Sequence, residues 1–215
     1  MEIPVKVNKS EYGVGQIKTL EGIEAIRLRA GMYIGSVGPD GVRHITLEII
    51  SNVIDEYLNG YCTKCNIEVT EDDMVKVSDD GRGVPFGKAA DGSETLENIF
   101  TKLHTGAKFD SSGKTGYNTS GGMNGVGAKA TNALSDKFIV TSKRGGKIAT
   151  MTFEKGDRKD FKVEKYAEKD TGTTITFHPD IEIFKEGISL DYDNLKRQIQ
   201  ELAYLSPCLL YTSPS

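Results

Sequence analysis

Four short segments of alternating polarity follow one another in the second half of the chain, at Lys137–Lys143, Ile148–Phe153, Phe161–Lys165 and Thr173–Phe177. Such a succession reads as a strand meander. Most of the helical signal precedes it, at Glu21–Arg29 (ending near Gly31), about Gly41–Leu58, Thr95–Leu103 and Ala128–Leu134, and one helix pattern, Asn194–Leu205, follows it. Two further strands are expected at Asn66–Thr70 and Met74–Asp79. A doubly wound sheet needs strands and helices alternating to the end, and these do not. The pattern therefore predicts an α/β fold, a two-layer sandwich with a mixed, largely antiparallel sheet and helices on one face.

A chain of 215 residues can bury a substantial core as one large domain or two small ones. No apolar run approaches the roughly 18 residues that a membrane helix needs, and Met1–Lys6 lacks the apolar stretch of a signal peptide. Three cysteines make no disulfide framework, so a cytoplasmic setting is expected. A net charge of −4 and a pI near 5.5 speak against a chain built mainly to grip nucleic acid.

The helix pattern from about Gly41 to Leu58 carries two stripes. Leu47, Ile50, Ile54 and Leu58 repeat at core spacing, while Glu48, Asn52, Asp55 and Asn59 fall on one side, with Glu56 beside them. A polar stripe is commonly a solvated face. This one holds no Lys or Arg, which a solvated face usually mixes in. Glu48 and Asn52 set a carboxylate and an amide oxygen about 6 Å apart along the axis. Such a pair could orient water and ligate a hard Mg²⁺ whose other positions go to phosphates.

Glycine placement supplies the other candidates. Asp79-Asp80-Gly81-Arg82-Gly83-Val84-Pro85 ends a strand, and as a bare motif it is a common turn. Its other reading is a ligand pocket in which Asp79 accepts from a buried amine, the glycines admit close approach, and Val84 and Pro85 form an apolar wall. Between Asp110 and Lys129, six of twenty residues are glycine, and Ser120–Lys129 runs into a helix. A flexible linker would look similar, but consecutive N–H groups opening a helix make an anion nest. Gly113-Lys114-Thr115 is not a P-loop, since the motif's first glycine would fall at Lys108, and no strand precedes Gly125–Ala130 to make a dinucleotide fingerprint. Lys169–Ile175 alone is a turn entering a strand. Cys62-Thr63-Lys64-Cys65 is at most half a zinc site, and no metal role is assigned to it, to Cys208 or to the three histidines.

Together, Glu48-xxx-Asn52, Asp79-x-Gly81-x-Gly83, the Gly121–Gly127 loop and Thr171-Gly172-Thr173 stand in the order of the GHKL ATPase motifs. With Gly31-Met32-Tyr33-Ile34-Gly35, Asn52-x-x-Asp55-Glu56 and Ser120-Gly121-Gly122, the chain from about Tyr12 to Pro207 resembles the ATPase domain of type IIA DNA topoisomerase B subunits, those of bacterial gyrase and topoisomerase IV. The resemblance implies the Bergerat form of the sandwich, with residues 1–19 as a dimerisation arm and 20–207 as the ATP-binding domain.

It also implies roles. Glu48 would be the general base and Asn52 the Mg²⁺ ligand, with Asp55 beside them. Asp79 would take the adenine amino group, supported by Thr173 through water, between Ile49, Gly83, Val84, Pro85 and Ile99. Tyr117, Gly122, Asn124, Gly125, Val126 and Gly127 would form the lid and phosphate cradle, with Lys108 reaching the phosphates. Arg82 and Arg144 would rim the mouth, and Tyr12 and Ile17 would cross to the nucleotide of a second copy. ATP would then drive homodimerisation, a gate coupled to DNA strand passage with the topoisomerase A subunit. Another GHKL ATPase, or an ATP-gated dimerisation module without turnover, are the rival readings.

Three departures stand out. Ala30 replaces a usual Pro. Met123-Asn124 replaces the common bacterial Leu-His, which makes Lys129 a candidate phosphate contact. The match ends where the family's transducer domain would supply a γ-phosphate lysine, so this length of chain is expected to bind ATP and hydrolyse it poorly. Residues 208–215 match nothing in the family and read as a truncation or cloning scar.

Overall fold

A computed structural model describes residues 22–103, 125–205 and 209–212. Helices α1 (Ile23–Leu28), α2 (Ala30–Ile34) and α3 (Pro39–Leu58) lead into strands β1 (Cys65–Val69) and β2 (Val75–Asp79). Helices α4 (Thr95–Thr101) and α5 (Gly127–Ala133) follow, then β3 (Ser135–Arg144), β4 (Lys147–Glu154), β5 (Asp157–Lys165) and β6 (Gly172–Pro179). Helix α6 (Tyr192–Leu205) and a short β7 (Leu209–Thr212) close the chain. The sheet order is β5-β4-β3-β6-β2-β1-β7, and every pairing is antiparallel except that of β1 with β7. The expected mixed, largely antiparallel sandwich is the fold found.

Two elements differ from the sequence reading. The helical signal expected to end near Gly31 instead breaks at Arg29 and resumes as α2, which runs through Gly31. Leu209–Thr212, left out of the fold on sequence grounds, pairs in register with Cys65–Glu68 at the sheet edge. Leu-Leu-Tyr-Thr is good strand material, and the N–H and C=O groups of an edge strand accept such an addition.

Helix α3 starts with Pro39 in its first turn, where a missing N–H costs nothing. It ends in a Schellman cap. Gly60 (φ +77°) donates its N–H to the Tyr57 carbonyl at 2.8 Å, and the Tyr61 N–H reaches the Glu56 carbonyl at 2.9 Å. Its core stripe is Val42, Ile45, Ile49, Ile50 and Val53, all buried, while Leu58 is half exposed. The expected Leu47–Ile50–Ile54–Leu58 stripe is thus rotated, and of the four only Ile50 is fully buried. Apolar residues occur on several sides of this helix, so spacing alone fits both stripes.

Helix α5 sits at the centre of the helical layer and touches α1, α2, α3 and α4 as well as β3, β4 and β6. Its Gly-Ala-Lys-Ala-Thr-Asn-Ala sequence is small enough for that crowding. Beneath it Phe100, Phe138 and Phe153 form a buried aromatic cluster, with ring centroids 5.4–6.5 Å apart. Among the described residues no helix is long and apolar enough to cross a membrane.

Candidate functional site

Strand β2 delivers Asp79. Val75 and Val77 face the core, and the strand ends with the Asp79 carboxylate folded back on its own turn. Oδ1 accepts the Gly81 N–H at 2.8 Å and the Thr173 N–H at 3.2 Å, the second from the start of the neighbouring β6. Burial pushes the Asp79 carboxyl up to about 6; the two N–H groups oppose that rise, and the charges of Glu56 and Asp80 add to it. Thr173 therefore acts on Asp79 through its backbone.

The glycines around this carboxylate are required by close approach. Gly83 has φ +71°, and a Cβ there would run into the Lys143 carbonyl and lie 3.0 Å from Ser142 Oγ. On Gly172 (φ +153°) a Cβ would strike the Asp79 carbonyl oxygen. Three backbones, those of the 80–83 turn, β3 and β6, thus converge on Asp79. Ser142 Oγ donates to the Val84 carbonyl at 2.7 Å, and Arg144 Nη1 to the Gly83 carbonyl at 3.0 Å, so β3 also holds the exit of the turn.

Adjacent carboxylates behave oppositely. Asp80 takes the N–H groups of Thr63 and Lys64 at 2.7 and 2.8 Å and the Thr63 hydroxyl. Burial alone would raise it, but these bonds hold it down at about 2. Asp80 is an anchor for the 61–64 connection, whereas Asp79 keeps Oδ2 outside every hydrogen bond found among the described residues. Cys62 and Cys65 are buried, and burial, with help from Asp80, pushes the Cys62 thiol up to about 12. Among the described residues no group of three or more His, Cys, Asp and Glu gathers as a metal cage.

Glu56 and Arg82 join α3 to the same turn. Arg82 Nη2 reaches Glu56 Oε1 at 2.7 Å and Nε reaches Oε2 at 3.1 Å, a bidentate pair. The Arg82 guanidinium carbon lies 3.6 Å from the Tyr61 ring centroid. The sequence reading placed Arg82 and Arg144 at the mouth but missed Tyr61 and Ser142. A Gly60-Tyr61 pair after a helix is the one signal that could have flagged Tyr61.

One turn of α3 carries Glu48 and Asn52. Asn52 Nδ2 donates to the Glu48 carbonyl at 2.9 Å, so Oδ1 is the amide atom a cation would take. Glu48 Oε1 is 3.5 Å from His44 Nε2, and its carboxylate occupies the space where a Gly127 side chain would be. Gly125 and Val126 lead directly into α5 at this point. Lys129 is buried and its Nζ bonds the Gly125 carbonyl at 2.6 Å, so it braces this loop from within. Asp55 is fully buried in α3, and its carbonyl takes Asn59 Nδ2 at 2.7 Å. Of the expected apolar walls, Ile49 is buried in the core, Val84 and Ile99 are partly buried, and Pro85 is exposed. Tyr12, Lys108, Tyr117, Gly122 and Asn124 lie outside the described residues.

An antiparallel sheet under a helical layer, with a buried carboxylate at the end of one strand and a carboxylate–amide pair on the long helix, defines an ATPase of the GHKL type. The family model for histidine kinase-, DNA gyrase B- and HSP90-like ATPases matches residues 38–183, and the chain belongs to that family. It is 43% identical over 198 residues to the DNA topoisomerase 4 B subunit of Staphylococcus epidermidis, covering 92% of this chain and 29% of the relative. To the DNA gyrase B subunit of Synechocystis it is 44% identical over 199 residues, covering 92% of this chain and 18% of the relative. The crystal structure of the 43K ATPase domain of Thermus thermophilus gyrase B, in complex with an aminocoumarin, superposes with a TM-score of 0.77 at 34% identity. That match covers 90% of this chain and 49% of the other. The relatives group the chain with the ATPase domains of type IIA topoisomerase B subunits, and it spans less than a third of those proteins' length.

Proposed function

We propose that this chain binds ATP with Mg²⁺ and hydrolyses it as the nucleotide-driven part of a type IIA DNA topoisomerase. The observation that carries the reading is the Asp79 carboxylate, fixed by two backbone N–H groups on Oδ1, leaving Oδ2 for the exocyclic amine of adenine. Val84, Pro85 and Ile99 flank the base, with Ile49 behind them. The hard amide oxygen of Asn52, one helical turn from Glu48, suits a cation that keeps most of its positions for water and phosphate. Bound there, Mg²⁺ would neutralise charge on the phosphates.

Glu48 orients the attacking water and takes its proton. The Gly125–Gly127 N–H groups, at the start of α5, offer donors to the phosphates. Gly122 and Asn124 extend the same cradle, with Tyr117 in the lid and Lys108 reaching the phosphates. Tyr12 and the 1–19 arm complete the site of a second copy, so nucleotide binding and homodimerisation are coupled. In the whole protein that closure serves strand passage with the A subunit and DNA.

Calorimetric titration of a non-hydrolysable ATP analogue with Mg²⁺ tests this, using wild type and Asp79→Asn. Saturable binding to wild type, sharply weakened in the variant, supports the site. Equal binding to both would remove adenine from Asp79. Analogue-dependent dimerisation without phosphate release by the ATP-fed protein would favour a gating module over an enzyme.

A further inference from the structure

The Schellman cap of α3 does more than end a helix. Its second bond, from the Tyr61 N–H to the Glu56 carbonyl, seats Tyr61 directly behind the residue that Arg82 grips. The tyrosine ring then lies flat enough under the guanidinium for a 3.6 Å carbon-to-centroid distance, well inside cation–π range. Arg82 is thereby held on two sides, by a ring and by a bidentate carboxylate. Its own backbone N–H also faces Glu56 Oε2 at 3.4 Å. Arg82 lies between the two glycines of the turn that encloses Asp79.

We infer that Tyr61 is a positioning residue for the adenine site: its ring, placed by the helix cap, keeps Arg82 on Glu56 and so holds the Gly81–Gly83 turn around Asp79. The functional part of this inference rests on the ATP reading above. Tyr61 is 39% exposed, so its contribution is not that of a core side chain. The charged and titratable groups around Asp79 make the consequence specific. Glu56 comes from α3, Cys62 from the connection after it, Asp80 and Arg82 from the turn, and Arg144 from the end of β3. Glu56 and Asp80 both disfavour an ionised Asp79. Arg82 offsets Glu56 only while it stays docked. Without the ring, a side chain one-third exposed is drawn to water, and the Glu56 charge acts on Asp79 less compensated.

The test is an NMR pH titration of the Asp79 carboxyl in the ligand-free 215-residue protein, for wild type, Tyr61→Leu and Tyr61→Phe, paired with ATP-analogue binding at pH 6.5 and 8.5. Tyr61→Leu is expected to lower the Asp79 ionisation constant at least threefold and Tyr61→Phe to leave it near wild type, because the ring and not the hydroxyl does the holding. Binding by Tyr61→Leu is expected to fall by at least about 1.5-fold at pH 6.5, in proportion to the ionised fraction of Asp79, and to recover toward wild type at pH 8.5, where Asp79 is ionised in both. Adding Tyr61→Leu to Arg82→Gln should weaken binding no further, since the two act as one unit. An unmoved Asp79 titration in a folded Tyr61→Leu overturns the inference, as does equal damage by Tyr61→Phe. Failure of wild type to bind the analogue would sink the ATP reading, while the ligand-free titration still decides the role of Tyr61.

Discussion

Gly127 stands against the carboxylate of Glu48 with no room for a side chain between them. The first turn of α5 and the long helix α3 are thus in contact at the proposed catalytic base. Gly127→Ala would have to push Glu48 off its position or α5 off α3. A displacement of about 1 Å at a reacting group can cost 10²-fold in rate. Hydrolysis is expected to fall about 10- to 100-fold in Gly127→Ala, and about 10²-fold or more in Glu48→Gln. Analogue binding should change far less in Glu48→Gln. Single-turnover phosphate release beside calorimetry separates the two effects, and equal loss of binding and turnover in Glu48→Gln would count against a base.

Asp79 carries a stability cost that its replacement should reveal. Its carboxyl is raised in the folded chain from 3.8 to about 6, so between those values the native state holds more protons than the unfolded one. Stability is then lost as pH rises through that window, and the full penalty applies above it. Asp79→Asn removes the charge and keeps an oxygen for the Gly81 and Thr173 N–H groups. The variant should be more stable than wild type at pH 7.5, by at most about 3 kcal/mol, and gain nothing near pH 3.5. It should nonetheless bind the ATP analogue about 10- to 100-fold more weakly, the range of a lost hydrogen bond to a charged group. Urea unfolding at the two pH values checks the sign. A destabilised variant at neutral pH would mean that the two backbone bonds outweigh burial.

How much of this was legible in the sequence depends on the range of each interaction. The strand meander and the helices ahead of it follow from local period, and they predicted the sandwich. The Asp79–Gly83 turn was legible as a motif because the constraint is backbone geometry within five residues. The polar stripe of α3 was legible as unusual, since it lacks cations, but its explanation was not. Part of the compensating charge comes from Arg82, which is 26 residues from Glu56. Asp55 sits on the same stripe and is fully buried, which no periodicity distinguishes from its half-exposed neighbours. The rotated core stripe failed for a related reason: with Ile45, Ile49 and Val53 as well spaced as Leu47, Ile54 and Leu58, only tertiary packing decides.

Gly83→Ala is expected to be strongly destabilising. The residue adopts φ +71°, and the added methyl would meet the Lys143 carbonyl oxygen and approach Ser142 Oγ and the Gly172 carbonyl. Left-handed strain alone costs about 1–3 kcal/mol in a residue with a Cβ, and the collision is with backbone that cannot rotate away. A loss of about 3 kcal/mol or more is the expected outcome by chemical denaturation. Gly145→Ala at the β3–β4 hairpin, also at positive φ (+60°) but with nothing near its Cβ position, should cost only about 1–2 kcal/mol. Equal losses in the two would mean that strain rather than close approach governs the site.

Arg27 and Asp180 bind the helical layer to the end of the sheet. Arg27 Nη2 meets Asp180 Oδ2 at 2.7 Å, and Nη1 donates to the Ala133 carbonyl at 2.6 Å, in the last turn of α5. Asp180 is 1% exposed, and its second oxygen accepts the Glu182 N–H at 3.0 Å. Removing the arginine therefore leaves a buried carboxylate with, among the described residues, only the more distant Lys155, at 3.8 Å, to offset its charge. Breaking a buried pair from one side typically costs about 3–5 kcal/mol. Because Arg27 is partly exposed and Lys155 is close, Arg27→Met should fall at the low end, about 3 kcal/mol. Asp180→Asn in the same background should recover part of that loss, because the stranded charge is gone. Urea denaturation of both single variants and the double variant measures the coupling. If Asp180→Asn adds fully to Arg27→Met, the two side chains do not act as a pair, and the Arg27 bond to the Ala133 carbonyl accounts for the arginine's contribution.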